Sequence, residues 1–185
     1  MKLLLHICCA PCAIYPVEFL RNKGFEVVGL FYNPNIYPYS EFIKREEQVK
    51  KYAQLWGVEV IYTEHKAGDF FSRLDDSCRQ RPARCHLCWR IRLEETAGYA
   101  LRGSFDYFSS TLLVSPYQDI DVIRGLGKSV SEMSGVKFLG EDFRSGFREA
   151  HRRAKEKGLY CQKYCGCIYS LSERQKKRKR IKVAS

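Results

Sequence analysis

A chain of 185 residues with a formal charge of +11 and nine cysteines is long enough to bury a core without disulfide staples. An odd cysteine count in three short clusters excludes a secreted disulfide framework and favours metal or redox chemistry in a reducing, cytoplasmic compartment. Met1 to Leu5 is too short for a signal-peptide core, and no apolar run reaches membrane-spanning length, so a soluble protein with no membrane partner is expected.

The apolar run Leu3-Leu4-Leu5, followed by His6-Ile7-Cys8-Cys9-Ala10-Pro11-Cys12, reads as a buried strand turning into a helix. In an open α/β sheet the carboxyl end of a strand is where ligands bind, so these cysteines fall where chemistry is expected. Ile14, Val17 and Leu20 continue at helical spacing to Lys23-Gly24, and Phe25 to Tyr32 is a second buried strand. It ends in the loop Asn33-Pro34-Asn35-Ile36-Tyr37-Pro38. Ser40 is the expected N-cap of a helix through Trp56, with Phe42, Ile43, Val49, Tyr52 and Ala53 on its apolar face and Gly57 as its stop. Val58 to Tyr62 is a third strand, Asp69 to Leu74 a short helix, and Asp75 to Cys78 a loop.

From Pro82 a helix runs through Leu101, with Cys85 and Cys88 in its first turn or just before it. A helix N-terminus is partly positive and is expected to lower their thiol pKa values. Phe105 to Phe108 is a fourth strand. Ser115-Pro116-Tyr117-Gln118 has the pattern of a capping box opening a helix to about Ser134. Val136 to Leu139 is a fifth strand, and Phe143 to Lys157 a basic helix ended by Gly158. Strands alternating with helices predict an α/β fold with a largely parallel, doubly wound sheet. With no repeat or linker, residues 1–173 are expected to form one domain. Residues 174–185 are expected to form a basic tail, in which Arg174, Lys176, Lys177, Arg178, Lys179, Arg180 and Lys182 put seven cations into twelve residues. The remainder carries 25 basic and 21 acidic residues, so the excess charge sits in a segment suited to a polyanion such as RNA.

Cys85-His86-Leu87-Cys88 is a C-x-x-C, Cys9 to Cys12 contains another, and Cys165-Gly166-Cys167 is a C-x-C preceded by Cys161. Each motif alone serves zinc, iron-sulfur clusters or dithiol redox chemistry. Together they exceed the four thiolates of a structural zinc and call for a cluster, a second metal or a redox pair. A disulfide between Cys165 and Cys167 would be strained and therefore labile, which suits a relay of electrons.

The motifs LLHICCAPC, NPNIYP, CHLCWRIRL, SSTLLVSPYQD and LYCQKYCGCIYS, in this order between residues 3 and 170, resemble those of the QueH-type epoxyqueuosine reductases. The resemblance implies a cobalamin-independent oxidoreductase that removes the epoxide oxygen of epoxyqueuosine at the wobble position of tRNA. It also implies a 4Fe-4S cluster with an additional mononuclear iron, an unidentified electron donor, and a sheet like that of adenine-nucleotide hydrolase-like, Rossmann-like proteins. By the resemblance, Cys8, Cys9, Cys85 and Cys88 hold the cluster, with Cys12 able to replace one of the adjacent pair. Cys161, Cys165 and Cys167 serve the redox pair and the extra iron. Tyr117 and Asp119 are candidates for delivering the proton, although a first-turn carboxylate such as Asp119 also suits a helix dipole. Cys78 belongs to no motif, and His6 and His86 are expected to support sulfur or backbone. A sulfur-inserting tRNA enzyme would need a phosphate loop after the first strand, and Cys8 to Cys12 contains neither glycine nor serine. The third alternative is a zinc- or cluster-bearing RNA-binding module without reductase activity.

Overall fold

The computed structural model describes residues 1–183, with side chains described through Lys176. Strand β1 (Lys2–His6) is central, and Leu3, Leu4 and Leu5 are all fully buried. A strand covered on both faces reads as a continuous apolar run, as this one does. Helix α1 (Ala10–Asn22) follows, then β2 (Glu26–Phe31), α2 (Tyr39–Trp56), β3 (Val60–Tyr62), α3 (Ala67–Phe71) and α4 (Ala83–Arg102). The second half contributes β4 (Tyr107–Ser110), α5 (Ile120–Ser134), β5 (Lys137–Phe138), α6 (Phe147–Glu156) and α7 (Ile168–Val183).

All strand pairs are parallel, in the order β3-β2-β1-β4-β5, with Leu4 opposite Val28 on β2 and Phe108 on β4. Helix α1 packs against α2 and α6, and α4 packs against α5 and the strands β1 and β4. The direction of winding reverses between β1 and β4. Connections on the two sides of that point run to opposite faces, which leaves a crevice at the carboxyl ends of these two strands. No helix among the described residues is long and apolar enough to cross a membrane.

Several local expectations are revised. Helix α2 begins two residues early, with Pro38 at the N-cap and Ser40 inside the helix. Strand β4 lies two residues later than its apolar run, because Ser109 and Ser110 are buried with their hydroxyls satisfied. Ser109 donates to the Leu139 carbonyl at 2.7 Å, and Ser110 Oγ lies 2.9 Å from His6 Nδ1. Helix α5 does not start at Ser115: Thr111 to Val114 form a buried 3-10 turn, and Asp119 caps the helix by accepting from Val122 N at 3.1 Å. The basic helix is shorter than predicted, since Arg144 to Gly146 is a 3-10 turn ahead of α6. Helix α7 runs through residue 174, where the basic tail was expected to begin, so Arg174 and Lys176 extend one continuous helix.

Burial of β1 sets a measurable cost. Leu4→Ala should destabilise the protein by about 2–5 kcal/mol in urea unfolding, whereas Leu101→Ala, at a side chain 59% exposed, should change stability by less than about 0.5 kcal/mol. Equal midpoint shifts for the two would contradict the assignment of β1 as the buried centre.

Candidate active site

Strand β1 passes into α1 through only three residues, and this short turn sets the first thiol group. Cys9 occupies the helix N-cap in an extended backbone conformation, and Cys12 follows in the first turn. The Sγ atoms of Cys8, Cys9 and Cys12 lie within 4.8 Å of one another; among the described residues this is the one group of three or more potential metal ligands so closely placed. Other elements support the sulfurs. Thr111, just past β4, accepts from Cys8 N at 3.0 Å and donates to Cys8 Sγ at 3.3 Å. Gln162 Nε2 donates to Cys9 Sγ at 2.7 Å. Hydrogen bonds from Cys12 and Cys9 hold the Cys8 thiol well below its usual range, and the same contacts push Cys12 up. Burial pushes Cys9 up. Of the three thiols, Cys8 thus gives up its proton most readily.

Cys85 stands in the first turn of α4 and Cys88 in the second. The lowering expected from the helix terminus is overturned by burial, which raises Cys85 and pushes Cys88 up to about 11. Desolvation disfavours a thiolate more than a partial helix charge favours it. Arg92, one turn on and buried, donates to Cys88 Sγ at 3.2 Å and to the Cys88 carbonyl at 3.0 Å, so a compensating cation stands ready for a Cys88 thiolate.

The third group sits on the loop between α6 and α7. Arg45 of α2, only 2% exposed, holds that loop: it donates to Glu41 at 2.8 Å, to the Tyr164 carbonyl at 3.0 Å and to the Cys165 carbonyl at 3.2 Å. Tyr37 N donates to the Gly166 carbonyl at 2.8 Å, and Tyr164 OH to the Tyr37 carbonyl at 2.6 Å, which ties the loop after β2 to the third cysteine group. Gly166 has φ +114°, and a Cβ there would meet Ile36 at 3.0 Å and Arg45 at 3.1 Å; only glycine fits. Cys165 and Cys167 place their sulfurs 3.8 Å apart. Hydrogen-bond contacts with Cys167 and Ser170 hold Cys165 well below the usual thiol range, while contact with Cys165 and burial push Cys167 up. All nine cysteines are free.

The three groups open on one cavity of about 1250 Å³, lined by Cys8, Cys12, Cys85, Cys88, Cys165 and Cys167. Cys9 lies buried behind Cys8. Cys161 and Cys78 do not line the cavity; Cys78 packs its sulfur into the 3-10 turn capped by Asp75. Nine lining side chains are Lys or Arg against three Asp or Glu, so the cavity favours an anion. His6 is fully buried between Ser110 Oγ and the Tyr32 carbonyl, and burial drives its pKa down to about 4, which makes it a neutral brace. His86 lines the cavity beside Trp89. Tyr117 and Asp119 stand on the rim, Tyr117 83% exposed. Arg174 reaches the cavity and donates to the Lys163 carbonyl at 2.8 Å, and Lys176 is exposed. The side chains of Lys177, Arg178, Lys179, Arg180 and Lys182 lie outside the described residues. Sequence reasoning did not single out Arg45, Arg92, Thr111 or Gln162, although the last three lie within motifs.

A soft, all-sulfur donor set at the end of a parallel sheet, with donors placed on individual sulfurs, fits a metal or iron-sulfur group. Fold and site together define an α/β protein with a cysteine-rich cavity, suited to a metal-thiolate centre, at its topological switch point. A family model described as epoxyqueuosine reductase QueH matches residues 3–173, and the chain belongs to that family. Among curated relatives of that name, the protein from Thermotoga maritima is 38% identical, covering 96% of this chain and 94% of the relative. The one from Dehalococcoides mccartyi is 36% identical, covering 94% of each. Among solved structures, the U34-tRNA thiolase NcsA from Methanococcus maripaludis, determined with its 4Fe-4S cluster, is similar in fold: TM-score 0.58 at 16% identity, covering 88% of this chain and 58% of that one.

If Arg45 holds the third cysteine loop, Arg45→Met should cost about 3–5 kcal/mol in urea unfolding by leaving buried partners unpaired. It should also speed alkylation of Cys165. Unchanged stability and unchanged alkylation would contradict the clamp.

Proposed function

We propose that this chain reduces the epoxide of epoxyqueuosine in tRNA to the alkene of queuosine, in the cytoplasm. The observation that carries the reading is the convergence of three cysteine groups, each within a family motif, on one basic cavity. Reduction of an epoxide to an alkene takes two electrons and two protons and releases the oxygen as water.

In this reading Cys8, Cys9, Cys85 and Cys88 hold a 4Fe-4S cluster, with Cys12 able to take the place of one ligand. Cys161 and the Cys165–Cys167 loop are the candidates for the neighbouring iron. The cluster supplies single-electron transfer, and the additional iron supplies Lewis-acid polarisation of the epoxide oxygen. Thr111, Gln162 and Arg92 orient the sulfurs of Cys8, Cys9 and Cys88. Cys165, as the thiolate, and Cys167, whose Sγ holds its proton until then, give up two electrons and one proton on closing to a disulfide, and the second proton comes from solvent. An external electron donor returns the pair to the dithiol. Arg174, Lys176 and the cations beyond them extend the basic surface toward the phosphates of tRNA.

Anaerobic reconstitution followed by single-turnover reduction of epoxyqueuosine-tRNA tests this directly. Cys85→Ser and Cys88→Ser should lose iron and sulfide, because serine replaces a thiolate poorly on iron, while Cys78→Ser should keep both. Cys165→Ser and Cys167→Ser should retain the visible absorption yet fail to turn over. Full iron content in Cys85→Ser and Cys88→Ser, or zinc alone with no turnover in the parent protein, would overturn the reading.

A further inference from the structure

The rim of the cavity carries an aromatic row that the chemistry above leaves unused. Tyr117, in the turn before α5, is 83% exposed, an uncommon cost for a large ring. It meets Phe147 edge-on at 5.9 Å and 85°, and Phe147 in turn lies 4.1 Å from His151. All three line the cavity. Phe147 and His151 are four residues apart on α6 and so share one stripe of the helix. Arg148, Arg152 and Lys155 form the adjoining stripe and also line the cavity, while Ala150 and Ala154 are buried on the opposite side.

The cations are not equivalent. Arg144 is paired with Asp142, Arg152 with Glu149 and Glu156, and Arg153 with Glu18. Arg148 and Lys155 have no carboxylate within 4.0 Å among the described residues, and both are exposed. Aromatic faces beside unpaired cations are the chemistry that binds single-stranded nucleic acid, the rings taking unstacked bases and the cations taking phosphates.

We propose that Tyr117, backed by Phe147 and His151, is the platform on which a base flanking the wobble nucleotide stacks, while Arg148 and Lys155 take phosphates of the same loop. The wobble nucleoside then enters the cavity toward the cysteines. The proposal rests on the reading that tRNA is the substrate, and it assigns Tyr117 a binding role carried by its ring and not by its hydroxyl.

Binding of a fluorescent anticodon stem-loop to the metal-loaded protein tests it. Base-aromatic stacking corresponds to roughly a 5- to 150-fold change in affinity, so Tyr117→Ala should raise the Kd by at least about fivefold for modified and unmodified stem-loops alike. Tyr117→Phe should restore binding. The Arg148→Ala, Lys155→Ala pair should lower the slope of log affinity against log salt by about 1.4, at about 0.7 per single-strand phosphate. Iron content, measured in every variant, should match the parent. An unchanged Kd in Tyr117→Ala overturns the platform. A Tyr117→Phe variant that binds normally but fails in turnover overturns the claim that the hydroxyl has no role, since that result assigns it to proton delivery. Should the parent bind stem-loops through Tyr117 yet reduce nothing, the reductase reading fails and the surface stands. Should it reduce epoxyqueuosine with Tyr117→Ala binding unchanged, the surface fails alone.

Discussion

The site depends on a cation taken out of water. Arg45 lies buried on α2, and its cost of desolvation is offset by Glu41 and by the carbonyls of Tyr164 and Cys165. Planar guanidinium geometry suits this task, because one side chain can reach a carboxylate and two carbonyls at once. Through these bonds the irregular segment between α6 and α7 is fixed over the end of the sheet, and Gly166 fits beneath it only because it lacks a Cβ. With the segment in place, Gln162 reaches Cys9 and the third cysteine pair faces the other two. The first and second groups need no such clamp, since a core strand and a packed helix carry them.

Charge within the site is distributed sparingly. Cys8 in the first group and Cys165 in the third are the thiols held low, while Cys9, Cys12 and Cys167 are held high. Two adjacent thiolates would repel strongly in a cavity of reduced dielectric, so each group settles on one. Cys88 is pushed up by burial even with Arg92 beside it. A bound cation would reverse that balance, as metals do for coordinating thiols. The surrounding excess of arginine and lysine offsets a cluster of thiolates and also suits an anionic substrate. The same electrostatics thus suit both a metal centre and an RNA substrate.

Much of the frame was legible because it rests on contiguous apolar runs. Leu3 to Leu5 and Phe25 to Tyr32 predict buried parallel strands, and the alternation with helices predicts a doubly wound sheet. The cysteine groups were legible as motifs, and their grouping placed two of the three near helix starts. What was not legible depends on tertiary contact. Arg45 falls on the apolar face of α2, three residues after Phe42 and four before Val49, but the distant carbonyls of Tyr164 and Cys165 that it holds are not visible in the local pattern. Ser109 and Ser110 belong to β4 because His6 and Leu139 satisfy their hydroxyls from other elements. The capping pattern at Ser115 lost to Asp119, whose carboxylate caps α5. Cys85 and Cys88 were expected to be acidified by their helix, a local effect that burial by the rest of the fold outweighs.

The central claim is that the first two cysteine groups form one metal-binding unit in this cavity. Thiol alkylation with mass-spectrometric readout tests it most directly, on anaerobically iron-loaded protein compared with the same protein after chelation. The account predicts that loading protects Cys8, Cys85 and Cys88 together with Cys9, or with Cys12 in its place, while Cys78 reacts equally in both states. Protection confined to one of the two groups, or shared by Cys78, would contradict it.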